Sequence, residues 1–305
     1  MTKLLSRISA LTFFMVCLAM ICRAQEEMNI SNIVYLATWG EKGDQSLQFK
    51  EPLSIDVDPA GFVYVADTGN NRVQKISSTG EFITEIGGYG WEAEQFDSPV
   101  AVSSKNGLDV FVADYYNERI ERYDKDLHYL ATLRSSEDIA EHLRFGFPID
   151  TDISTQGELF CLDGENKRLL KLDVLGDPQI SFGGFDAGEG RLVEPVRFMM
   201  GGNRIFVSDR DRPGIVVFDL YGNFLFSFGN TVLKNPSGIT QVKNENLLVT
   251  DIDCHKIYVF QENGILIGSF GTGSIEPVDV ACWKNRVYVL DKERCVIDIY
   301  QWIGQ

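Results

Sequence analysis

The chain has three histidines, and their positions bear on whether it performs metal-dependent chemistry. A zinc site needs several histidine, cysteine or carboxylate ligands that converge on one point. His128 begins a predicted outermost strand and should lie at the opposite face, whereas His142 and His255 fall in connections of non-adjacent repeats. Because these connections are not expected to meet, we predict no metal site, no bound cofactor and no catalytic residue.

Two acidic stretches resemble cation-binding loops superficially. Asp251 and Asp253 lie just before His255, and Asp209 and Asp211 alternate with arginines, whose positive charge opposes cation binding. The sequence contains no nucleophile elbow, HExxH helix, phosphate-binding loop or dinucleotide fingerprint. A metal-dependent enzyme whose ligands are scattered along the chain has no local signature, so it stays open as the alternative to a binding protein.

Large aromatic side chains and a pair of arginines are the candidates for ligand contacts. Tyrosine and tryptophan offer rigid surface that stacks on a sugar or a peptide, and arginine binds a carboxylate through two parallel hydrogen bonds. The candidate residues are Tyr89, Trp91, Tyr115, Tyr116, Arg210 and Arg212. The alternative is that the aromatic residues cover seams between repeats and that the charges form a solvated rim.

The N-terminal segment has the features of a secretory signal peptide. Lys3 and Arg7 precede an apolar run from Ile8 to Cys22. The run is shorter than the roughly 20 residues that span a bilayer. We therefore expect residues 1–24 to be removed, and residues 25–305 to work outside the cytoplasm, in the periplasm or fully secreted, as a monomer without stable membrane insertion.

The composition is acidic, with 28 lysines and arginines against 44 aspartates and glutamates and a formal net charge of −16. Proteins bind nucleic acids mainly through clustered basic residues. This chain has no basic run, so nucleic acid is not expected as a partner. The simplest interpretation of the acidity is that negatively charged molecules repel one another, which favours solubility.

Four cysteines lie outside the predicted signal peptide, and none has a metal-binding spacing. Cys161 and Cys282 occupy apolar strand positions and are expected to be buried. Cys254 and Cys295 lie in comparable turns of neighbouring repeats. An oxidising compartment permits a disulfide between them, although the allowed geometry is narrow.

An internal repeat runs along the whole chain after the N-terminal segment. Prolines recur at intervals of 41 to 49 residues, and each is followed 14 or 15 residues later by an aspartate that ends an apolar strand. The prolines are Pro52, Pro99, Pro148, Pro195, Pro236 and Pro277. The aspartates are Asp67, Asp114, Asp163, Asp209, Asp251 and Asp291. A period of this length with strand-like content is typical of propellers.

Each repeat contains four short strands, which predicts one antiparallel sheet per repeat. The sixth repeat ends after its third strand, whereas Ile33–Gly40 matches a fourth strand that has no repeat of its own. Pairing of this strand with the last sheet would close the ring and remove free sheet edges. The sequence therefore predicts an all-β, six-bladed propeller of four-stranded antiparallel blades in a single domain.

The repeat aspartates are expected to be structural, since each sits where a strand enters a tight turn and accepts hydrogen bonds from turn amides. One stretch, Ser135–Leu143, has helical character, with Ser135 and Asp138 placed to form a capping box.

Residues 63–76, VYVADTGNNRVQKI, with QFKEPLSIDVD before them, closely resemble the NHL repeat. The likeness covers essentially the whole chain after the N-terminal segment and is weaker in the fourth to sixth repeats. NHL propellers usually present a binding face to proteins, RNA or other ligands. One enzymatic branch, the peptidyl-hydroxyglycine lyases, uses a metal in the central channel.

The connectivity predicts which face binds the ligand. In a four-stranded antiparallel sheet, the turn between strands two and three lies at the same end as the connection to the next blade. All six candidate contact residues fall in these segments. We therefore expect a binding or scaffold module for a protein, peptide or carbohydrate ligand on this loop face, with a lactonase-like, hydrolase-like or lyase-like propeller enzyme as the alternative.

Overall fold

The structure is a computed structural model that describes residues 33–154, 157–173, 175–242 and 246–303. These residues form six four-stranded antiparallel sheets, and the first strands of successive sheets contact one another around a central channel. The predicted all-β, six-bladed propeller is thus confirmed. The predicted signal peptide, residues 1–24, lies outside the described residues. Within the described ranges, no helix is long and apolar enough to cross a membrane.

The strands run from the channel outward in each blade. The chain begins with β1 (Ile33–Trp39) and a short parallel pair, β2 (Glu41–Lys42) and β3 (Gln48–Phe49). Blade 1 contains β4 (Ser54–Val57), β5 (Val63–Asp67), β6 (Arg72–Ile76) and β7 (Phe82–Gly87). Blade 2 contains β8 (Pro99–Ser103), β9 (Asp109–Asp114), β10 (Arg119–Asp124) and β11 (Tyr129–Leu133). Blade 3 contains β12 (Pro148–Ile153), β13 (Leu159–Asp163), β14 (Arg168–Leu172) and β15 (Pro178–Phe182).

The second half of the ring repeats this order. Blade 4 contains β16 (Pro195–Gly201), β17 (Arg204–Asp209), β18 (Gly214–Asp219) and β19 (Phe224–Phe228). Blade 5 contains β20 (Pro236–Val242), β21 (Asn246–Asp251), β22 (Lys256–Gln261) and β23 (Leu266–Gly271). Blade 6 contains β24 (Pro277–Trp283), β25 (Arg286–Asp291) and β26 (Val296–Trp302), with β1 as its outer strand. Short 3-10 turns occur at Thr68–Asn70, Glu141–Leu143 and Gly188–Gly190.

The second strand of each blade carries the core. In β5, the sequence VYVAD is buried at every position, because neighbouring blades cover both faces of the sheet. The outer strand β7 instead alternates half-buried with exposed residues, since only one of its faces packs inward. The apolar runs that end at the repeat aspartates therefore mark the blade interiors.

The ring closes where the sequence predicts. β1 pairs antiparallel with β26, from Ile33 opposite Trp302 to Trp39 opposite Ile297. The Trp39 ring also packs against Tyr288 of the same blade, with ring centroids 5.7 Å apart. The N-terminal strand thus supplies the outer strand that the sixth repeat lacks.

The repeat aspartates join two segments of each blade. Asp67 Oδ1 accepts a hydrogen bond of 2.7 Å from Lys50 N in the incoming connection, and Asp67 Oδ2 accepts one of 2.7 Å from Arg72 Nε in the following strand. Asp114 does the same with Asp97 N and Arg119 Nε. All six repeat aspartates are fully buried, so each fixes one turn on the loop face.

Two local expectations were wrong. The stretch 135–143 is not a helix beyond the 3-10 turn Glu141–Leu143. The Arg144 guanidinium binds the carbonyl oxygens of Glu137 and Ile139, and Ser135 Oγ accepts from Phe145 N, outside the segment it was expected to cap. Cys282 is half-buried rather than buried.

The cysteines of the described residues are all free, so Cys254 and Cys295 are not bridged. Cys295 is buried in the core between blades 6 and 1, where its thiol lies 3.3 Å from the carbonyl oxygen of Lys292. Cys161 is buried as expected.

Candidate functional site

The loop face contains a cup at the mouth of the central channel, with a volume of about 390 Å³. The turns after the second strands and the starts of the first strands form its wall, because both lie at this end of every blade. Its polar and aromatic lining includes Tyr115, Tyr116, Lys167, Glu194, Arg197, Arg210, Ser237, Glu276 and Lys292.

Arg197 forms the floor of the cup. It lies on the inner strand of blade 4 and is 8% exposed. Its Nη2 donates to the carbonyl oxygens of Leu53 at 2.8 Å and Val100 at 2.9 Å, and its Nη1 donates to those of Ile149 at 3.1 Å and Val196 at 3.0 Å. One guanidinium therefore joins the inner strands of blades 1 to 4 across the channel.

Two buried carboxylates lie close to this guanidinium. Asp279 Oδ2 is 3.9 Å from Arg197 Nε, an atom that has no hydrogen-bond partner among the described residues. Burial raises the pKa of Asp150 to about 7, while the positive charge of Arg197 opposes this rise. Burial also raises the pKa of Asp279. The charge of Arg197 thus partly compensates two acids that the fold has removed from water.

Further acids lie below the floor, in a space of only about 30 Å³. Asp152 pairs with Lys105 at 2.6 Å and accepts a hydrogen bond from Met200 N of the next blade. Asp56 accepts from Ser104 N of the next blade, and burial raises its pKa to about 6. These acids bind the backbone of the neighbouring inner strand, so they hold adjacent blades together.

Arg210 is the unpaired cation of the cup. Lys167 pairs with Glu194 at 2.7 Å, and Lys292 lies 3.7 Å from Glu276. The Arg210 side chain makes no hydrogen bond or ion pair with the described residues, and only its backbone amide is bonded, to the Glu194 carbonyl. Partial desolvation in the cup, followed by the nearby charge of Arg197, lowers the pKa of Arg210. The charges of Glu194, Glu276 and Asp253 oppose this fall, and the exposed side chain is accessible to a further negatively charged group.

Tyr115 and Tyr116 both line the cup. Their rings meet edge to face with centroids 4.9 Å apart, and Tyr115 also packs on Phe147 at 5.0 Å. Tyr115 is half-buried, whereas Tyr116 is 63% exposed. Tyr115 therefore supports the wall, and Tyr116 offers the free aromatic surface.

The other three predicted contact residues lie away from the cup lining. Tyr89 and Trp91 are 70% and 69% exposed and belong to the connection between blades 1 and 2, where Arg119 binds the Trp91 carbonyl at 2.9 Å. Arg212 Nη1 donates to the Glu189 carbonyl at 2.5 Å. Arg210 and Arg212 therefore do not act as a pair, and ligand binding at all six predicted residues stays a prediction.

The histidines occupy three different settings. His128 Nδ1 is 2.9 Å from Asp124 Oδ2, and His255 Nδ1 is 2.6 Å from the Ile275 carbonyl oxygen. His142 is exposed, and its carbonyl accepts from Arg168. Among the residues that the structure describes, no group of three or more histidine, cysteine, aspartate or glutamate side chains is arranged to hold a metal ion.

Sequence reasoning missed Arg197, although the repeat contains a signal for it. The second residue after each repeat proline lies near the start of the inner strand, and four of the six such residues line the space beneath the cup floor. These residues are Ser54, Ala101, Asp150, Arg197, Gly238 and Asp279. Alignment of the repeats would have shown opposite charges at one position of a buried strand. Gly238 fits the same arrangement, because a Cβ there would lie 2.5 Å from Asp279 Cα.

Comparison with known proteins gives one repeat match and several fold matches. The NHL repeat family matches residues 49–76. Protein brain tumor of Drosophila melanogaster is 26% identical over 131 residues, a match that covers 42% of this chain and only 13% of that protein.

Solved propellers match over most of the chain. A streptogramin B lyase has a TM-score of 0.62 at 13% identity, covering 90% of this chain and 89% of the lyase. Virginiamycin B lyase from Staphylococcus aureus has a TM-score of 0.59 at 14% identity, covering 87% and 88%. The WD40 propeller domain of Doa1 has a TM-score of 0.61 at 12% identity, covering 89% and 98%. At these identities the similarity concerns the fold alone. The resemblance to NHL-repeat propellers is therefore confirmed: the chain is a six-bladed propeller that contains an NHL repeat.

Proposed function

We propose that the chain is a binding module whose protein, peptide or carbohydrate ligand docks on the loop face, over the cup at the channel mouth. The observation that carries the proposal is the combination of an exposed aromatic surface at Tyr116 with an unpaired guanidinium at Arg210 in one concave site. Concave sites with a few convergent polar groups are the usual places for ligands.

The closed floor supports docking at the mouth. Arg197 is bonded to four backbone carbonyls, and the space beneath it has room for about one water molecule. A ligand that enters the cup therefore meets a rigid base. Because lyases and WD40 domains share this fold, the fold does not decide between binding and catalysis, and the site residues carry the proposal.

Recovery of partners by matched variants tests the proposal. The double variant Trp91→Ala/Tyr116→Ala removes exposed rings of the loop face, and Lys125→Ala/Asp126→Ala alters the opposite face, where these residues form an exposed ion pair. We expect the aromatic variant to melt like the wild type and to lose partners from the native extracytoplasmic fraction. Loss of partners only in the control variant would place the docking face at the other end.

We also propose that the protein is exported. The basic residues and the apolar run before residue 25 support this. Fractionation of the native cells and mass measurement of the mature protein test it, with a chain that begins at Gln25 in the extracytoplasmic fraction as the expected result. A full-length protein in the cytoplasmic fraction would contradict export, and it would leave the binding proposal unaffected.

A further inference from the structure

The cup presents several cationic side chains in an acidic molecule. The whole chain has a net charge of −16. The charged lining of the cup consists of Lys167, Arg197, Arg210 and Lys292 with Glu194 and Glu276. The lining therefore contains four cations and two carboxylates, and Asp150 and Asp279 lie near Arg197 beneath the floor. Cationic side chains exposed within an otherwise acidic surface attract an anionic group to this position.

Arg210 is the group that such an anion would meet. The lysines of the cup have carboxylate partners, and Arg197 donates to backbone carbonyls. The side-chain donors of Arg210 make no hydrogen bond with the described residues. It follows Asp209 directly, and the two hydrogen bonds from the incoming connection to that buried aspartate fix the turn that presents Arg210.

We propose that the cup binds a short acidic peptide segment, with Arg210 holding the carboxylate of an aspartate or glutamate side chain; this inference rests on the proposed function. Arginine and a carboxylate form two parallel hydrogen bonds in a planar arrangement. A carboxylate suits the site better than a phosphate, because Glu194 and Glu276 share the cup and repel a doubly charged group more strongly.

The cup also offers contacts for the rest of a peptide segment. Tyr115 is half-buried against Tyr116 and Phe147 and supports the wall. Glu194 and Glu276 each have only one lysine partner and retain acceptor capacity for peptide N–H groups. Tyr116 supplies exposed apolar surface for a neighbouring side chain. The cup thus matches a segment that combines a carboxylate, backbone donors and an apolar side chain.

Selection from a displayed library of random seven-residue peptides tests the proposal. The purified protein and the Arg210→Gln variant are used as separate targets, and Arg212→Gln is the matched control because its guanidinium binds the Glu189 carbonyl outside the cup. We expect acidic residues to be enriched on the wild type and on Arg212→Gln, but not on Arg210→Gln. Affinity for the enriched peptides should fall about ten- to a hundredfold in Arg210→Gln and less than twofold in Arg212→Gln.

The remaining outcomes separate failure of this inference from failure of the proposed function. Enriched peptides without acidic residues that still require Tyr116 would overturn the acidic ligand and keep the loop-face site. Failure to enrich any peptide, together with Arg210-dependent binding to an array of uronic and sialic acid oligosaccharides, would replace the peptide by an acidic sugar. Acidic peptides that bind Arg210→Gln and Tyr116→Ala as tightly as they bind the wild type would contradict both the carboxylate contact at Arg210 and the binding site on the loop face.

Discussion

Arg197 Nη2 donates a 2.8 Å hydrogen bond to the carbonyl oxygen of Leu53, 144 positions away in the sequence. Leu53 precedes the inner strand of blade 1, and Arg197 lies on that of blade 4, on the opposite side of the ring. Bonds of this kind keep the channel closed and the cup floor fixed. Because the guanidinium also lies near Asp150 and Asp279, its loss would affect stability as well as shape.

Substitution of Arg197 by methionine is expected to lower the free energy of unfolding by about 3–5 kcal/mol near pH 8, because buried carboxylates lose their compensating cation. Arg197→Lys keeps the charge but cannot reach the same set of carbonyls, so a smaller loss is expected. Urea unfolding, monitored by tryptophan fluorescence, measures the free energy of unfolding of both variants. Equal stability of Arg197→Met and the wild type would show that the floor contributes nothing to the fold.

Stability should depend on pH through the buried channel acids. Burial raises the pKa of Asp150 from 3.8 to about 7 and that of Asp56 from 3.8 to about 6. Between the unfolded and folded pKa values the folded protein binds more protons than the unfolded chain. The free energy of unfolding contributed by these two acids should therefore fall as pH rises from about 4 to about 7 and should level off above that range.

Melting temperatures from pH 5 to pH 8 test this dependence. Asp150→Asn should flatten the decline, since the amide cannot ionise and still accepts from Phe198 N. At lower pH, acids with lowered pKa values should make the free energy of unfolding rise with pH; one is half-buried Asp124, whose pKa is lowered by the backbone hydrogen bond from His128. A wild-type melting temperature that rises steadily from pH 5 to pH 8 would contradict the raised pKa values.

The repeat aspartates should differ in their contribution to stability according to the burial of their arginine partners. Arg119, the partner of Asp114, has a side chain that is 2% exposed, whereas Arg294, near Asp291, is 34% exposed. Asp114→Ala is expected to destabilise the protein by about 3–5 kcal/mol, and Asp291→Ala by less, because water can solvate Arg294. Chemical denaturation of the two variants provides the comparison, and a reversed order would refute the explanation.

Removal of residues 33–40 should open the ring. The deletion leaves unpaired the backbone donors and acceptors on the edge of β26 that faces β1, and it uncovers Tyr288, which packs against Trp39. We expect a lower melting temperature and new oligomers by light scattering after gel filtration. A synthetic peptide of residues 33–40 should restore the monomer. An unchanged melting temperature without new oligomers would show that β1 does not close the ring.

The repeat spacing was sufficient to predict the blades and their closure, because the proline-to-aspartate interval reports a backbone geometry that recurs in every unit. Side-chain partners across the ring could not be predicted in this way. Arg197 meets Leu53 and Val100 only after the ring has closed, so no local pattern contains that contact.

The arginine pair illustrates the same limit at short range. Arg210 and Arg212 are two positions apart, yet Arg210 lines the cup and Arg212 binds Glu189 in the connection between blades 3 and 4. Two residues of one tight turn can point in different directions, which composition and spacing do not reveal. Tyr115 and Tyr116, by contrast, both line the cup, although the connectivity of the sheets predicts only that their turn lies on the loop face.

Site-specific photocrosslinking tests the central claim, that the ligand sits over the cup, most directly. Benzoylphenylalanine replaces Tyr116 in one protein and Leu108 in another; the two side chains are 63% and 71% exposed, and Leu108 lies in a turn at the opposite end of blade 2. After illumination with the native partner or the selected peptide, mass spectrometry identifies the adducts. We predict adducts from position 116 and none from position 108. Adducts only from position 108 would contradict a binding site on the loop face.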